Sequence, residues 1–310
     1  MTRVTRTYVE GRHGQVHARV AAPDANAATS VRRPVLFIHM SPMTGRIFER
    51  LVGEIGADRL AVAFDTPGYG HSDAPGRQPS IEVYADALHE AMASLMAQGT
   101  LPPATRFDVM GYHTGALVAA AMAARHPEAI GRLVLVGAPL FDSTERKTFR
   151  SYYGPHSHAP SEDGSHLARR WRGFCHHYRR PGMSLEQVAE HFEEALTGGD
   201  KAWWGHAAAF DYDLEAALRA LAHPALVLRT GDDLAAQTEK ARGISPLLDM
   251  LDVPGWGHGF ATSHAAEVAA LLRHWLDAGD PHRAALEARL PESALGPCWP
   301  PAEAGSFAPR

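Results

Sequence analysis

An α/β protein built around a parallel sheet is the fold class that the 310-residue sequence predicts, and three observations carry the prediction. Short, nearly continuous apolar runs alternate with helical patterns, as expected of strands buried on both faces by crossover helices. Hydrophobic residues make up 45% and charged residues 21%, the balance of an ordinary globular chain. The length lies near the limit of one hydrophobic core, so a single large domain with an insertion is expected rather than several modules.

Taken in order, Arg3 to Val9 and Gln15 to Ala21 alternate in polarity around Gly11 and Gly14, which predicts an opening antiparallel hairpin. The buried strands follow at Pro34 to His39, Leu60 to Asp65, Phe107 to Gly111 and Leu133 to Gly137. From the N-cap candidate Ser80, residues Ile81, Tyr84, Leu88, Met92 and Leu95 recur three or four apart, with Glu82, Asp86 and Glu90 opposite, the pattern of an amphipathic helix. Thr114 to Arg125 is small and apolar all round, a helix buried against the sheet and stopped by His126-Pro127. After Leu140 the alternation ceases. Phe141 to Leu221 holds helical stretches such as Ser184 to Leu196 and no strand, so it is expected to be an inserted helical cap. Strands resume at Ala225 to Thr230 and Leu248 to Val253, followed by a helix with Val268, Leu271, Leu272, Trp275 and Leu276 facing inward. The expected organisation is a core of residues 1–140 and 222–278, a cap at 141–221 and a weakly structured tail at 279–310, where six of the last 30 residues are proline.

Composition excludes several functions. A formal charge of −5 argues against a nucleic-acid partner, and the longest apolar run, Ala116 to Ala124, is half of what a bilayer span needs. The first dozen residues lack the apolar core of a signal peptide, and two cysteines, Cys175 and Cys298, cannot build a disulfide framework. A cytoplasmic protein acting on a small molecule, with no cofactor and with a homodimer left open, is the expectation. Gly68-Tyr69-Gly70 lacks the lysine of a phosphate loop.

The chemistry concentrates in Phe107-Asp108-Val109-Met110-Gly111-Tyr112-His113-Thr114-Gly115, a buried strand running into a helix through two glycines four apart. Such a strand-to-helix elbow forces its central residue to positive φ and lifts it above the sheet edge, where ligands of open α/β sheets sit. Here the central residue is His113, and imidazole tolerates that backbone and can exchange a proton near neutral pH.

Taken with six other segments, this stretch resembles the α/β-hydrolase superfamily, over about residues 3 to 278. His39-Met40-Ser41-Pro42 is similar to its H-G-x-P turn, and Asp65-Thr66-Pro67-Gly68-Tyr69-Gly70-His71-Ser72-Asp73 to its D-x-x-G-x-G-x-S-D loop. His126-Pro127-Glu128, Gly137-Ala138-Pro139 and Trp256-Gly257-His258-Gly259 also match, and Gly231-Asp232-Asp233-Leu234 stands where the family carries its acid. The resemblance implies an eight-stranded, mostly parallel sheet and the site order elbow, acid, histidine at 113, 233 and 258. Where the family has serine, aspartate or cysteine as nucleophile, this chain has His113, and Met40 replaces the glycine of H-G-x-P.

His113, His258 and Asp233 are therefore the expected catalytic residues, with Asp232 and then Asp142 as alternative acids, and the backbone N–H groups of Ser41 and Thr114 as the oxyanion hole. His258 is expected to face Asp233 through Nδ1 and His113 through its other nitrogen. Met40, Tyr112, Trp203, Trp204 and Phe210 are the expected substrate contacts, other aromatics of the segment serving its own core. His39 is expected to brace the oxyanion turn, and the pairs His156/His158 and His176/His177 to be solvated; no metal is expected. Hydrolysis of an ester, a lactone or a C–C bond beside a carbonyl, on an apolar or aromatic compound, is the leading function. Proton-transfer chemistry as in a lyase, isomerase or cofactor-free oxygenase is the alternative on the same scaffold, and an inactive ligand-binding protein is the third reading.

Overall fold

The computed structural model describes residues 1–23, 32–100, 106–179 and 182–278. The tail expected at 279–310, and Cys298 within it, lie outside the described residues. The strands are β1 (Thr5–Gly11), β2 (Gly14–Ala21), β3 (Val35–Ile38), β4 (Ala61–Phe64), β5 (Phe107–Tyr112), β6 (Ile130–Val136), β7 (Ala225–Thr230) and β8 (Leu248–Val253). They form one eight-stranded sheet in the order β1-β2-β4-β3-β5-β6-β7-β8, antiparallel at β1/β2 and β2/β4 and parallel elsewhere. Each predicted strand is present, displaced by a few residues at most.

Helices α1 (Glu49–Ile55), α2 (Ile81–Leu95) and α3 (Thr114–Arg125) accompany the first five strands. Between β6 and β7 the described residues form α4 (Ser143–Tyr152), α5 (Ser165–Tyr178), α6 (Leu185–Leu196), α7 (Trp204–Asp211) and α8 (Leu214–Arg219), with no strand. The short α9 (Ala235–Glu239) and α10 (Phe260–Ser263) precede the long α11 (Ala265–Asp277). None of these is long and apolar enough to cross a membrane.

Two core layers, one on each face of the sheet, follow from strand alternation. Leu36, Ile38, Val62, Phe64, Leu133 and Leu135 point to the layer covered by α2 and α3. Their alternating neighbours Val35, Phe37, Ala61, Ala63, Val134 and Val136 point to the layer covered by α1 and α11. Ser80 caps α2 by accepting from the Val83 N–H at 3.4 Å, as its sequence position predicts. Asp86 departs from the expected solvent face. It is buried, paired with Arg125 at 2.6 Å and His126 at 2.9 Å, and so ties α2 to the end of α3.

Asp65 anchors the loop after β4. Its carboxylate accepts from the Arg19 guanidinium at 3.0 Å, the Gly45 N–H at 2.9 Å and the His71 N–H at 3.0 Å, and faces His17 Nδ1 at 2.9 Å. Burial alone would raise its pKa, but the His17 hydrogen bond and the Arg19 charge outweigh it and hold the group at about 2. A carboxylate depressed on folding stabilises the fold above its ordinary pKa, and that stability fades as pH falls through the folded value. Asp65→Asn should therefore lower unfolding free energy by about 2 to 4 kcal/mol at neutral pH. Urea titrations should also find a shallower loss of stability between roughly pH 4 and pH 2 in the variant; an unchanged urea midpoint would contradict this account.

Candidate active site

β5 is the strand at which the connections reverse direction across the sheet, and its end is the crevice that such topology leaves for a ligand. There His113 has φ 48° and ψ −113°, the one positive φ outside glycine among the described residues. The turn closes because its flanks carry no side chain. A Cβ on Gly111 would lie 2.0 Å from the Gly115 carbonyl oxygen, and one on Gly115 would lie 2.1 Å from that of Ile38. The His113 N–H donates to the Val136 carbonyl at 2.9 Å, and its carbonyl accepts the first bond of α3 from the Ala116 N–H at 2.8 Å.

The His113 ring folds sideways onto Gly137, where a Cβ would stand 2.5 Å from Cδ2, so only glycine leaves room for it. In that position its Nε2 meets Asp232 Oδ2 at 2.9 Å. Asp232 is buried and also accepts from Thr230 Oγ1 at 2.6 Å, Tyr112 OH at 3.3 Å and, on Oδ1, the Leu234 N–H at 3.0 Å. Burial works to raise its pKa, and the His113 charge and hydrogen bond reverse that, bringing it down to about 2. An ionised carboxylate requires a proton on the nitrogen it faces, so Nε2 carries the hydrogen. Nδ1 of His113 has no hydrogen-bond partner among the described residues, and the ring lines a cavity.

A second imidazole-carboxylate pair lies beside the first. His258 Nε2 meets Asp233 Oδ1 at 2.8 Å, and its Nδ1 faces Tyr112 OH at 3.1 Å. Asp233 keeps 30% of its side-chain surface exposed. Burial opposes its ionisation, but the His258 hydrogen bond and charge, with His177 further off, hold its pKa below the ordinary carboxylate range. The His113 and His258 rings are 5.3 Å apart and nearly perpendicular, without a hydrogen bond between them. Tyr112 thus touches both pairs, with burial and the Asp232 charge pushing its own pKa up so that it remains a phenol.

The cavity, about 200 Å3, is floored by His113, Thr114, Ser41, Asp233 and His258. Its far wall comes from the helices between β6 and β7. The backbone N–H groups of Ser41 and Thr114 have no acceptor among the described residues. Behind them His39 accepts from the Thr66 N–H through Nε2 at 2.9 Å, which leaves its Nδ1–H to donate to the Met40 carbonyl at 2.9 Å. Burial keeps this imidazole neutral by lowering its pKa, and it fixes the 39–42 turn as expected. Where a metal is considered, the ligand atoms of His177, Asp233 and His258, and those of His113, Asp232 and Asp233, lie within 4.8 Å of one another.

A family model described as alpha/beta hydrolase fold matches residues 33–261, well over half of the chain. The chain belongs to this family. Among its relatives, the biotin biosynthesis bifunctional protein of Teredinibacter turnerae is 25% identical over 267 residues, covering 78% of this chain and 44% of that protein. The chain thus spans less than half the length of that relative. An esterase of Exiguobacterium antarcticum superposes with a TM-score of 0.70 at 16% identity, over 88% of this chain and 100% of that one. An enol-lactonase of Burkholderia xenovorans gives 0.67 at 17%, over 87% and 100%. These two likenesses are to the fold.

Within this alpha/beta hydrolase fold the predicted site residues separate into those brought together and those not. His113, His258, Asp233, Ser41, Thr114, Met40 and Phe210 line the cavity. Five expectations are corrected. His258 presents Nε2, not Nδ1, to Asp233, and its other nitrogen meets Tyr112 rather than His113, whose partner is Asp232. Tyr112 does not line the cavity, because strand alternation turns its ring into the α1/α11 core layer. Trp203 and Trp204 are also absent from the lining, since the cavity face of α7 is His206, Ala209 and Phe210, while the Trp204 ring faces Lys201. Asp142 is an exposed N-cap accepting from the Thr144 and Glu145 N–H groups at 2.9 Å, which removes it as the acid. Of the histidines expected to be solvated, His177 lines the cavity 3.9 Å from Asp233. The signal for it was spacing: Phe174, His177 and Tyr178 form an i, i+3, i+4 face of α5, and all three line the cavity.

Proposed function

We propose that this protein is a cofactor-independent hydrolase of small apolar or aromatic carbonyl compounds, cleaving an ester, a lactone or a C–C bond beside a carbonyl. The observation that carries the reading is the His113 ring, which lines the cavity, meets Asp232 through Nε2 and has no partner for Nδ1 among the described residues. In this scheme Nδ1 takes a proton from water as the water oxygen bonds to the carbonyl carbon, and Asp232 stabilises the imidazolium that forms. Asp233, ionised and open to the cavity, accepts a hydrogen bond from the second O–H of that water and orients it. The oxyanion accepts from the Ser41 and Thr114 N–H groups. Collapse of the intermediate expels the leaving group, which takes the proton back from His113 Nδ1, and the carboxylic acid is released. Esterase and lactonase activities among fold neighbours are compatible with this chemistry.

The test is a panel of aryl esters, enol lactones and vinylogous diketones, assayed with and without a serine-directed fluorophosphonate. Hydrolysis unaffected by the reagent is expected; inhibition by it would overturn a mechanism based on histidine. His113→Ser should not create an ordinary triad, because His258 has one nitrogen on Asp233 and the other on Tyr112. The variant is expected to hydrolyse p-nitrophenyl acetate at background rates and to resist labelling at position 113. Rapid labelling there would mean that His258 reorients toward the turn.

The absence of a hydroxyl nucleophile at the turn favours one second reading, proton abstraction from carbon next to a carbonyl by the same Nδ1. Deuterium incorporation into substrate without cleavage identifies it.

A further inference from the structure

Opposite the His113 floor, the part of the cavity wall built by α7 and the end of α4 holds two polar groups that the hydrolytic scheme does not use. His206, on α7, and Tyr153, just after α4, both line the cavity, and their rings stack at 4.4 Å with 19° between planes. Around them the wall is apolar, with Phe141, Phe149 and Phe210 packed at centroid distances of 5.2 to 5.9 Å. His206 Nδ1 is sealed from solvent and makes no hydrogen bond with any of the described residues. A sealed lone pair costs less than a sealed N–H, which puts the proton on Nε2. The Tyr153 hydroxyl has no partner among the described residues either, and burial raises its pKa so that it keeps its proton. Burial, followed by the charges of His158 and His113, lowers the His206 pKa to about 3, so the imidazole donates as a neutral group. Among the described residues no lysine or arginine lines the cavity, and both Asp233 on its floor and Asp232 behind His113 are ionised.

We infer that His206 Nε2–H and the Tyr153 hydroxyl form a second polar subsite for an uncharged acceptor oxygen, selecting carbonyl compounds that carry another such oxygen beyond the reacting one. This rests on the reading of the cavity as the substrate pocket and deepens it. A buried polar atom without a partner lowers stability, and a ligand oxygen is what makes the pair useful. An apolar tail alone would satisfy the phenylalanines but leave both donors unpaired in a dry cavity, which is the situation that gives strong discrimination. A carboxylate in the same position would lack a cationic partner and face the field of Asp232 and Asp233.

Binding measurements test this without turnover, by isothermal titration of the intact protein with three probes. Para-diacetylbenzene carries the second acceptor, para-ethylacetophenone replaces it with an ethyl group of similar size, and para-acetylbenzoate replaces it with an anion. The diketone is expected to bind about tenfold more tightly than either of the others. His206→Phe keeps the stack and removes the donor, and Tyr153→Phe removes a single oxygen; each should erase most of that preference, read within each variant as the ratio of its affinities for para-diacetylbenzene and para-ethylacetophenone. Equal affinities in the wild type, or a preference that survives both substitutions, would overturn the subsite. Binding of neither ketone would overturn the subsite together with the pocket. Failure of the hydrolytic mechanism registers separately, as absent turnover with the binding preference intact.

Discussion

His113→Ala is expected to lower kcat/KM on a good substrate by about 1,000- to 10,000-fold, with the far-ultraviolet circular dichroism of the wild type retained. The residue lines the cavity, holds a nitrogen without a partner among the described residues and is backed by a buried, ionised carboxylate, so in the proposed scheme its removal takes away both the base and the charge couple that stabilises its protonated form. His113→Gln separates positioning from proton transfer, because the amide can occupy the same turn and donate to Asp232 but cannot take a proton at neutral pH. The glutamine variant should fall nearly as far as alanine in kcat while KM changes little. Activity within about tenfold of wild type in His113→Gln would reduce the residue to a binding contact and remove the proposed mechanism.

Much of this arrangement was legible in the sequence, for reasons that differ by element. The strands were legible because both faces of the sheet are buried, which makes runs such as Val35–Ile38 and Ala61–Phe64 continuously apolar. His113 was legible because a positive-φ elbow demands small neighbours, and Gly111 and Gly115 advertise it. Short helices such as α1 and α9 escaped because one or two turns contain too few residues to establish a period. The pairing of acids with histidines was not legible at all. Asp232 and Asp233 are adjacent, and a loop sends their carboxylates to different partners according to backbone angles that no spacing rule encodes. His177 and His206 escaped because composition around them is polar or mixed. Their common signal was a face repeated on two helices, 174/177/178 and 206/209/210, which becomes meaningful once both faces are known to look into one space.

Asp232→Asn should be the more damaging of the two acid substitutions, and the comparison decides which histidine is the base. The asparagine has the shape to keep the Thr230 and Leu234 contacts, so the loop should hold its position. Its amide nitrogen, turned toward His113, would donate to Nε2 and drive the ring proton to Nδ1, the atom that must be unprotonated to accept from water. A loss of about 1,000-fold or more in kcat is expected from that tautomer change. Asp233→Asn acts on a partly exposed group paired with His258, whose nitrogens both remain engaged within the protein, so only the orientation of the attacking water and the field at the cavity floor are altered. Its loss should stay near 10- to 100-fold, on the scale of one positioning contact. Steady-state kinetics of the two variants on one substrate, with thermal midpoints recorded alongside, provide the check. If Asp233→Asn proves the more severe while Asp232→Asn remains active, His258 is the base and reorients during turnover, and the assignment of the proton-accepting nitrogen to His113 fails.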